Sequence, residues 1–140
     1  MLYHSKPAYI GISEDVAYSK VSDEYLNIPL VRTLGNSAPE SEAKALVEII
    51  KTIESAKAPI LMVDGGAARH DWAEYVNPLI EALKIPFFHT MVGKGIANED
   101  SPYYQGSYGG AGSWPPSVNP IVESADCIIW LGNYPSDFNT

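Results

Sequence analysis

The chain has 140 residues, 46% of them hydrophobic, and 9 basic against 17 acidic residues give a formal net charge of -8. That length is enough for one domain with a core. The acidic balance argues against nucleic acid as a partner, because phosphate binding needs a basic face, and it equally disfavours an anionic membrane surface. The single cysteine, Cys127, lies inside an apolar run. It excludes a disulfide framework and reads as a small buried hydrophobe in a reducing compartment. No apolar run reaches the length of a membrane span, and the N-terminus lacks the basic-then-apolar pattern of a signal. The expected location is cytoplasmic.

Ala8 to Ile12 reads as a short strand after Pro7, and a strand this early is expected to belong to a domain upstream. Ser13 to Pro39 has weak periodicity and contains Pro29, Gly35 and Asn36. Structureless loops of such length are uncommon within a compact domain, so it reads as a linker between two domains, with Leu30 and Val31 adding a short extended piece. Ser37 with Glu40 fits a capping box, and Pro39 is tolerated in a first turn. Ala43, Leu46, Val47, Ile50 and Ile53 recur at helical spacing, which predicts a helix with one stripe facing a core, ending near Lys57 before Pro59.

Pro59 to His70 is the centre of the chain. Ile60 to Val63 is apolar on both alternating faces, as a parallel strand covered on two sides requires. Gly65 and Gly66 supply the turn, and ligands of open α/β sheets sit just past such strand ends. Asp71 with Glu74 fits a second cap. Trp72, Val76, Leu79, Ile80 and Leu83 mark one face of the following helix. Pro78 costs a helix interior roughly 3 kcal/mol, so the helix is expected either to kink or to restart with Asn77 as cap. Ile85 to Thr90 is the next strand, with Pro86 at its start. Met91 to Trp114 is rich in glycine and tyrosine and reads as a long ordered loop, packed down by its tyrosines and Trp114. Ser117 caps a short helix through Ala125, and Cys127 to Gly132 is the third strand. Alternating helices and strands make this α/β, a partial Rossmann-like parallel sheet with flanking helices. Three strands are an incomplete sheet with an exposed edge.

The dinucleotide fingerprint is absent. Gly65-Gly66-Ala67-Ala68-Arg69 does not match it, and Gly93-Lys94-Gly95 is followed by Asn98 where the motif needs glycine. There is no phosphate loop and no nucleophile elbow. His4, His70, His89 and Cys127 lack zinc spacing, so no metal site is expected. Arg69 and His70 are the polar pair past the central strand. One reading has Arg69 paired to a carboxylate and His70 helping to cap the helix; the other has both lining a pocket for a small carboxylate, which guanidinium grips bidentately. Lys94 reads as a salt-bridge partner.

Several segments together resemble thiamine-diphosphate-dependent 2-oxo acid decarboxylases of the fungal pyruvate decarboxylase type. Lys6-Pro7-Ala8-Tyr9-Ile10-Gly11-Ile12 is similar to the last strand of their pyrimidine-binding domain. Arg69-His70-Asp71, Gly93-Lys94-Gly95 and Val122-Glu123-Ser124-Ala125-Asp126 resemble their middle domain, and Ser136-Asp137-Phe138-Asn139-Thr140 looks like a signature of the fungal enzymes. The resemblance implies a fragment: residues 1–15 as the terminal strand of the first domain, 16–39 as the interdomain linker, and 40–140 as the first half of the Rossmann-like middle domain. It implies thiamine diphosphate and Mg2+ in the parent enzyme, held by the first and third domains, with none bound by residues of this chain. No catalytic residue is expected here, and Asp64-Gly65-Gly66 is not the family's metal-diphosphate motif. The resemblance further implies a homo-oligomeric carboxy-lyase converting a 2-oxo acid to aldehyde and carbon dioxide, with the chain itself not an enzyme. In fungal members an arginine matching Arg69 lies at a regulatory 2-oxo acid site with a cysteine just before it. Here Arg69 and His70 are the effector-binding candidates, and Gly66-Ala67-Ala68 stands where the thiol would be. The alternatives are a stand-alone truncated product that regulates decarboxylase subunits, and a small-molecule-binding Rossmann-like module.

Overall fold

The computed structural model describes residues 6–29, 38–70 and 72–136, and the chain divides into two compact units, Met1–Pro39 and Glu40–Thr140. In the first unit the described residues form one turn of helix, α1 (Glu14–Ala17), and a 3-10 turn over Asp23–Asn27, where the Ser22 hydroxyl accepts from the Glu24 N–H. All are exposed. The strand expected over Ala8–Ile12 does not form: the segment is unpaired and Tyr9 is 97% exposed. A strand is stable only against a neighbour, and none lies beside it among the described residues. Leu30, Val31 and Ser37 lie outside those residues.

The second unit takes in α2 (Pro39–Ser55) from its second residue and continues through β1 (Pro59–Val63), the single turn α3 (Gly66–Arg69), α4 (Ala73–Leu83), β2 (Phe87–Thr90), β3 (Tyr104–Tyr108), α5 (Val118–Glu123) and β4 (Cys127–Leu131). The sheet is all parallel, in the order β3-β2-β1-β4. It therefore has four strands rather than three. β3 lies inside the stretch that reads as a loop. Its sequence, Tyr-Gln-Gly-Ser-Tyr, carries no aliphatic run, and Gly106 at φ +134° sits where a side chain would strike the Trp114 carbonyl. The strand exists because β2 offers it a ladder, entered through a register shift at Phe87/Phe88, while Ser107 and Trp114 exchange two backbone hydrogen bonds of 2.8 Å.

β1 is buried on both faces. Leu61 and Val63 join Val76 and Ile80 of α4, Phe87 and Ala97 on one side. Ile60 and Met62 join Phe88, Tyr108, and Val118 and Val122 of α5 on the other. This two-sided burial is what a continuous apolar run predicts. The Asp126 carboxylate accepts from the Lys57 and Ala58 N–H groups, each at 2.8 Å, and ties the start of β4 to the turn entering β1.

Several local expectations change. No residue of α2 is buried, and Leu46, Val47 and Ile50 remain 46–63% exposed, so its apolar stripe faces no core among the described residues. Pro78 does not restart α4, which runs from Ala73 to Leu83 with the proline inside it. Pro78 and Glu74, whose carbonyl loses its partner, are both on the exposed side, where water replaces the bond. Asn77 is not a cap; its side-chain carbonyl accepts from the Asn98 N–H at 2.8 Å. The residue preceding α4 is Trp72, without a side-chain cap, and Asp71 lies outside the described residues. Ser117 likewise makes no side-chain cap to α5. Cys127 is only partly buried, and Trp114 is 73% exposed rather than packed down. Among the described residues no helix is long and apolar enough to cross a membrane.

Candidate functional site

In the order β3-β2-β1-β4 the chain runs outward from β1 to β3 and then returns through α5 to the other side of β1. The reversal falls between β1 and β4, and the crevice beyond their carboxyl ends is where ligands of such sheets bind. Asp64 stands at that point and is fully buried. Its Oδ1 accepts from the Gly65 N–H and the Thr90 hydroxyl, both at 2.7 Å. Its Oδ2 accepts from the Trp130 Nε1–H at 3.1 Å and the Tyr134 N–H at 2.9 Å. A carboxylate offers about four acceptor sites, so four donors saturate it. One side chain thus joins the ends of β1, β2 and β4.

Three glycines let the backbones close around it. The Gly66 N–H donates to the Gly132 carbonyl at 2.9 Å. A Cβ on Gly66 would strike that carbonyl, one on Gly93 would strike the Val63 carbonyl, and Gly132 itself holds φ +65°. The N–H groups that would cradle a phosphate after β1 are therefore already used. Neither these donors nor the saturated Asp64 fits a diphosphate or its metal. No group of three or more His, Cys, Asp or Glu side chains able to hold a metal ion occurs among the described residues.

Arg69 and His70 leave this knot on its exposed side. The Arg69 guanidinium lies over the Tyr134 ring, 5.7 Å from its centroid, and the His70 ring lies 5.5 Å from that of Trp72. His70 is the C-cap of α3 through its backbone N–H. A hollow of about 200 Å³ beside α3 and α4 is lined by Ala67, Trp72, Tyr75, Val76, Leu79 and Leu131. It is apolar and does not match a small carboxylate.

A second polar group lies past β2. Lys94 pairs with Glu99 at 2.9 Å, as the sequence suggests, and this contact holds the Glu99 carboxyl below its ordinary range and the Lys94 ammonium above its own. His89 is buried and reaches Tyr104, whose phenol is pushed up by burial and then by the nearby Glu99 charge. Sequence spacing identifies Arg69 and His70 as a polar pair but passes over Asp64, Thr90, His89 and Tyr104 as functional groups. For Asp64, Thr90 and His89 the only signal is position at the carboxyl end of a strand, and Tyr104, the first residue of β3, lacks even that.

Residues 46–140 match the family model of the thiamine pyrophosphate enzyme central domain. The chain is similar to a pyruvate decarboxylase of Aspergillus terreus, 38% identical over 136 residues, which is 97% of this chain and 24% of that protein. It is 36% identical over 135 residues to a pyruvate decarboxylase of Candida glabrata, covering 96% of this chain and 24% of that protein. It is 34% identical over 135 residues to pyruvate decarboxylase isozyme 2 of Saccharomyces cerevisiae, with the same coverage. The chain spans about a quarter of the length of the curated relatives it matches.

Proposed function

Because this chain belongs to the thiamine pyrophosphate enzyme family, through its central domain, we propose that it is part of a non-oxidative 2-oxo acid decarboxylase of the pyruvate decarboxylase type, in which these residues supply scaffold and an effector contact. The observation that carries this reading is likeness to fungal pyruvate decarboxylases across 96–98% of the chain. Residues 1–15, unpaired in this chain, belong to the preceding domain and pair as its terminal strand only when that domain supplies a sheet edge; 16–39 are the linker and 40–140 the first half of the central domain. The parent is a cytoplasmic homo-oligomer that engages neither nucleic acid nor membrane.

Thiamine diphosphate with Mg2+ supplies, when bound, the electron sink for the carbanion left by carbon dioxide. The crevice past β1 does not fit that group, so these residues act by holding structure. The saturated Asp64 fixes three strand ends and takes no part in proton transfer. Arg69 and His70 stand outside the knot, where a guanidinium can grip the carboxylate of a 2-oxo acid and the imidazole can meet its carbonyl. The residues before Arg69 are Ala67 and Ala68, so this contact is non-covalent. The same closed crevice weighs against the alternative of a nucleotide-binding module.

Two measurements test the proposal. A protein carrying these residues within the full length of the relatives should turn pyruvate into aldehyde and carbon dioxide, whereas the 140-residue chain with thiamine diphosphate, Mg2+ and pyruvate should release none. Sustained aldehyde from the short chain would overturn the scaffold role. Arg69→Ala in the longer protein should flatten the dependence of rate on pyruvate toward a simple hyperbola. A curve of unchanged shape removes the effector role.

A further inference from the structure

His89 is the most deeply buried imidazole among the described residues, 2% exposed at the carboxyl end of β2. Its Nδ1 lies 2.9 Å from the Thr90 carbonyl, which only accepts, so Nδ1 carries the hydrogen. Its Nε2 lies 2.7 Å from the Tyr104 hydroxyl. In the neutral ring Nε2 is an acceptor, and the phenol donates to it. Both nitrogens are then satisfied, and the Tyr104 ring is stacked beside the imidazole with centroids 5.4 Å apart. A third group waits nearby. The Glu99 Oε1 is 3.5 Å from Nε2, too far for a good hydrogen bond but within ion-pair range. Glu99 is meanwhile held by Lys94 and, at 3.3 Å, by the Gly95 N–H.

We propose that His89, Tyr104 and Glu99 form a proton-operated clasp that fixes the segment between β2 and β3. When His89 takes a proton, Nε2 changes from acceptor to donor. Tyr104 must then turn its hydroxyl hydrogen away, and the ring gains a charge for which Glu99 is the nearest carboxylate. Glu99 moves inward from Lys94 and Gly95 to His89, drawing the 94–99 turn onto the end of β2. Loss of the proton returns Nε2 to the phenol and Glu99 to Lys94. The groups that face His89 favour this two-state behaviour. From β3 comes Tyr104, and from the connecting segment come Glu99 and, opposing protonation, Lys94. Among the described residues, β1 packs Leu61 and Val63 and α4 packs Val76 and Ile80 on this side of the sheet, and Asn77 of α4 accepts from the Asn98 N–H next to Glu99. On the far side His89 is linked through Thr90 to Asp64, because the Thr90 hydroxyl donates to that carboxylate and accepts from the Gly93 N–H at 3.2 Å. The clasp thus sits one residue from the knot at the switch point.

The test is a pH titration of the full chain by NMR, following the ring nitrogens of His89 and the amides of Gly95 and Glu99. At neutral pH the nitrogen shifts should report hydrogen on Nδ1, and the Gly95 and Glu99 amides should move with the same midpoint as the ring. Glu99→Gln should shift that midpoint to lower pH, since it removes the charge that welcomes the imidazolium. Tyr104→Phe should shift it to higher pH, since it removes the donor that favours the neutral ring. The two variants differ from the parent by single polar atoms, and their opposed signs separate the clasp from a loss of folding, which would move both alike. Hydrogen on Nε2 at neutral pH, or a midpoint indifferent to Glu99→Gln, overturns the proposal.

Discussion

Two carboxylates close the same edge of this sheet in opposite ways. Asp64 is fully buried and meets four donors among the described residues, as many as its acceptor sites. Glu99 is about one-third exposed, holds a lysine and a backbone N–H, and lies 3.5 Å from the His89 imidazole, which is engaged elsewhere. A saturated carboxylate has one low-energy arrangement and serves as a fixed joint. One with a second partner in reach has two. Burial separates them in degree, and the count of donors against acceptor sites separates them in kind.

The sharpest way to break the comparison is Asp64→Ala. The Thr90 hydroxyl, the Trp130 indole N–H and two backbone N–H groups lose their acceptor together, and unsatisfied buried groups cost about 1–3 kcal/mol each. Urea unfolding should show a loss of at least about 3 kcal/mol. A loss below about 1 kcal/mol would mean that Asp64 is no joint. Next comes the contrast between β1 and α2. Leu61→Ala should cost about 2–5 kcal/mol, as for other buried leucines, whereas Leu46→Ala on the exposed stripe should change the unfolding free energy by less than about 0.5 kcal/mol. Gly66→Ala should cost about 2–3 kcal/mol, because its new methyl meets the Gly132 backbone, which cannot yield as a side chain would.

The smallest effects are those of exposed charge. Asp126 is held below its ordinary range by the Lys57 and Ala58 N–H groups, and Glu99 by Lys94. A carboxyl whose folded value is depressed gives stability that is present above its unfolded value and is lost as pH falls through the folded one. Stability should therefore decline on acidification below the ordinary carboxylate range, and Asp126→Asn should flatten that decline. An equal acid slope in the variant would show that the contact contributes nothing. Lys94→Ala should leave neutral-pH stability within the error of a denaturant curve, as exposed ion pairs do.

The sequence discloses what depends on local pattern. β1 is legible because Ile60 to Val63 is apolar at every position, and α4 because Val76, Leu79, Ile80 and Leu83 share a face. β3 is not, since its five residues become a strand only through the ladder with β2 and the space that Gly106 leaves for the Trp114 carbonyl. The stripe on α2 identifies a helix but says nothing of what covers it. Arg69 and His70 stand out as adjacent polar residues at a strand end. His89 does not, because Tyr104 and Glu99 reach it from fifteen and ten positions away. Long-range pairing of single polar atoms leaves no periodic trace.

The two borders of the sheet also differ. At β3 the backbone of Ser107 bonds to Trp114, which occupies part of that border, and Pro115 follows. At β4 the strand Cys-Ile-Ile-Trp-Leu carries no charge, proline or bulge, and Ile128 is 43% exposed. A bare, apolar border of this kind can template further strand addition, while an occupied one resists it. The sheet consequently has a polarity of growth. Among the described residues the open border is that of β4, so strand addition from a neighbouring polypeptide during misassembly is favoured there, and Ile128→Lys would be the most economical gatekeeper against it.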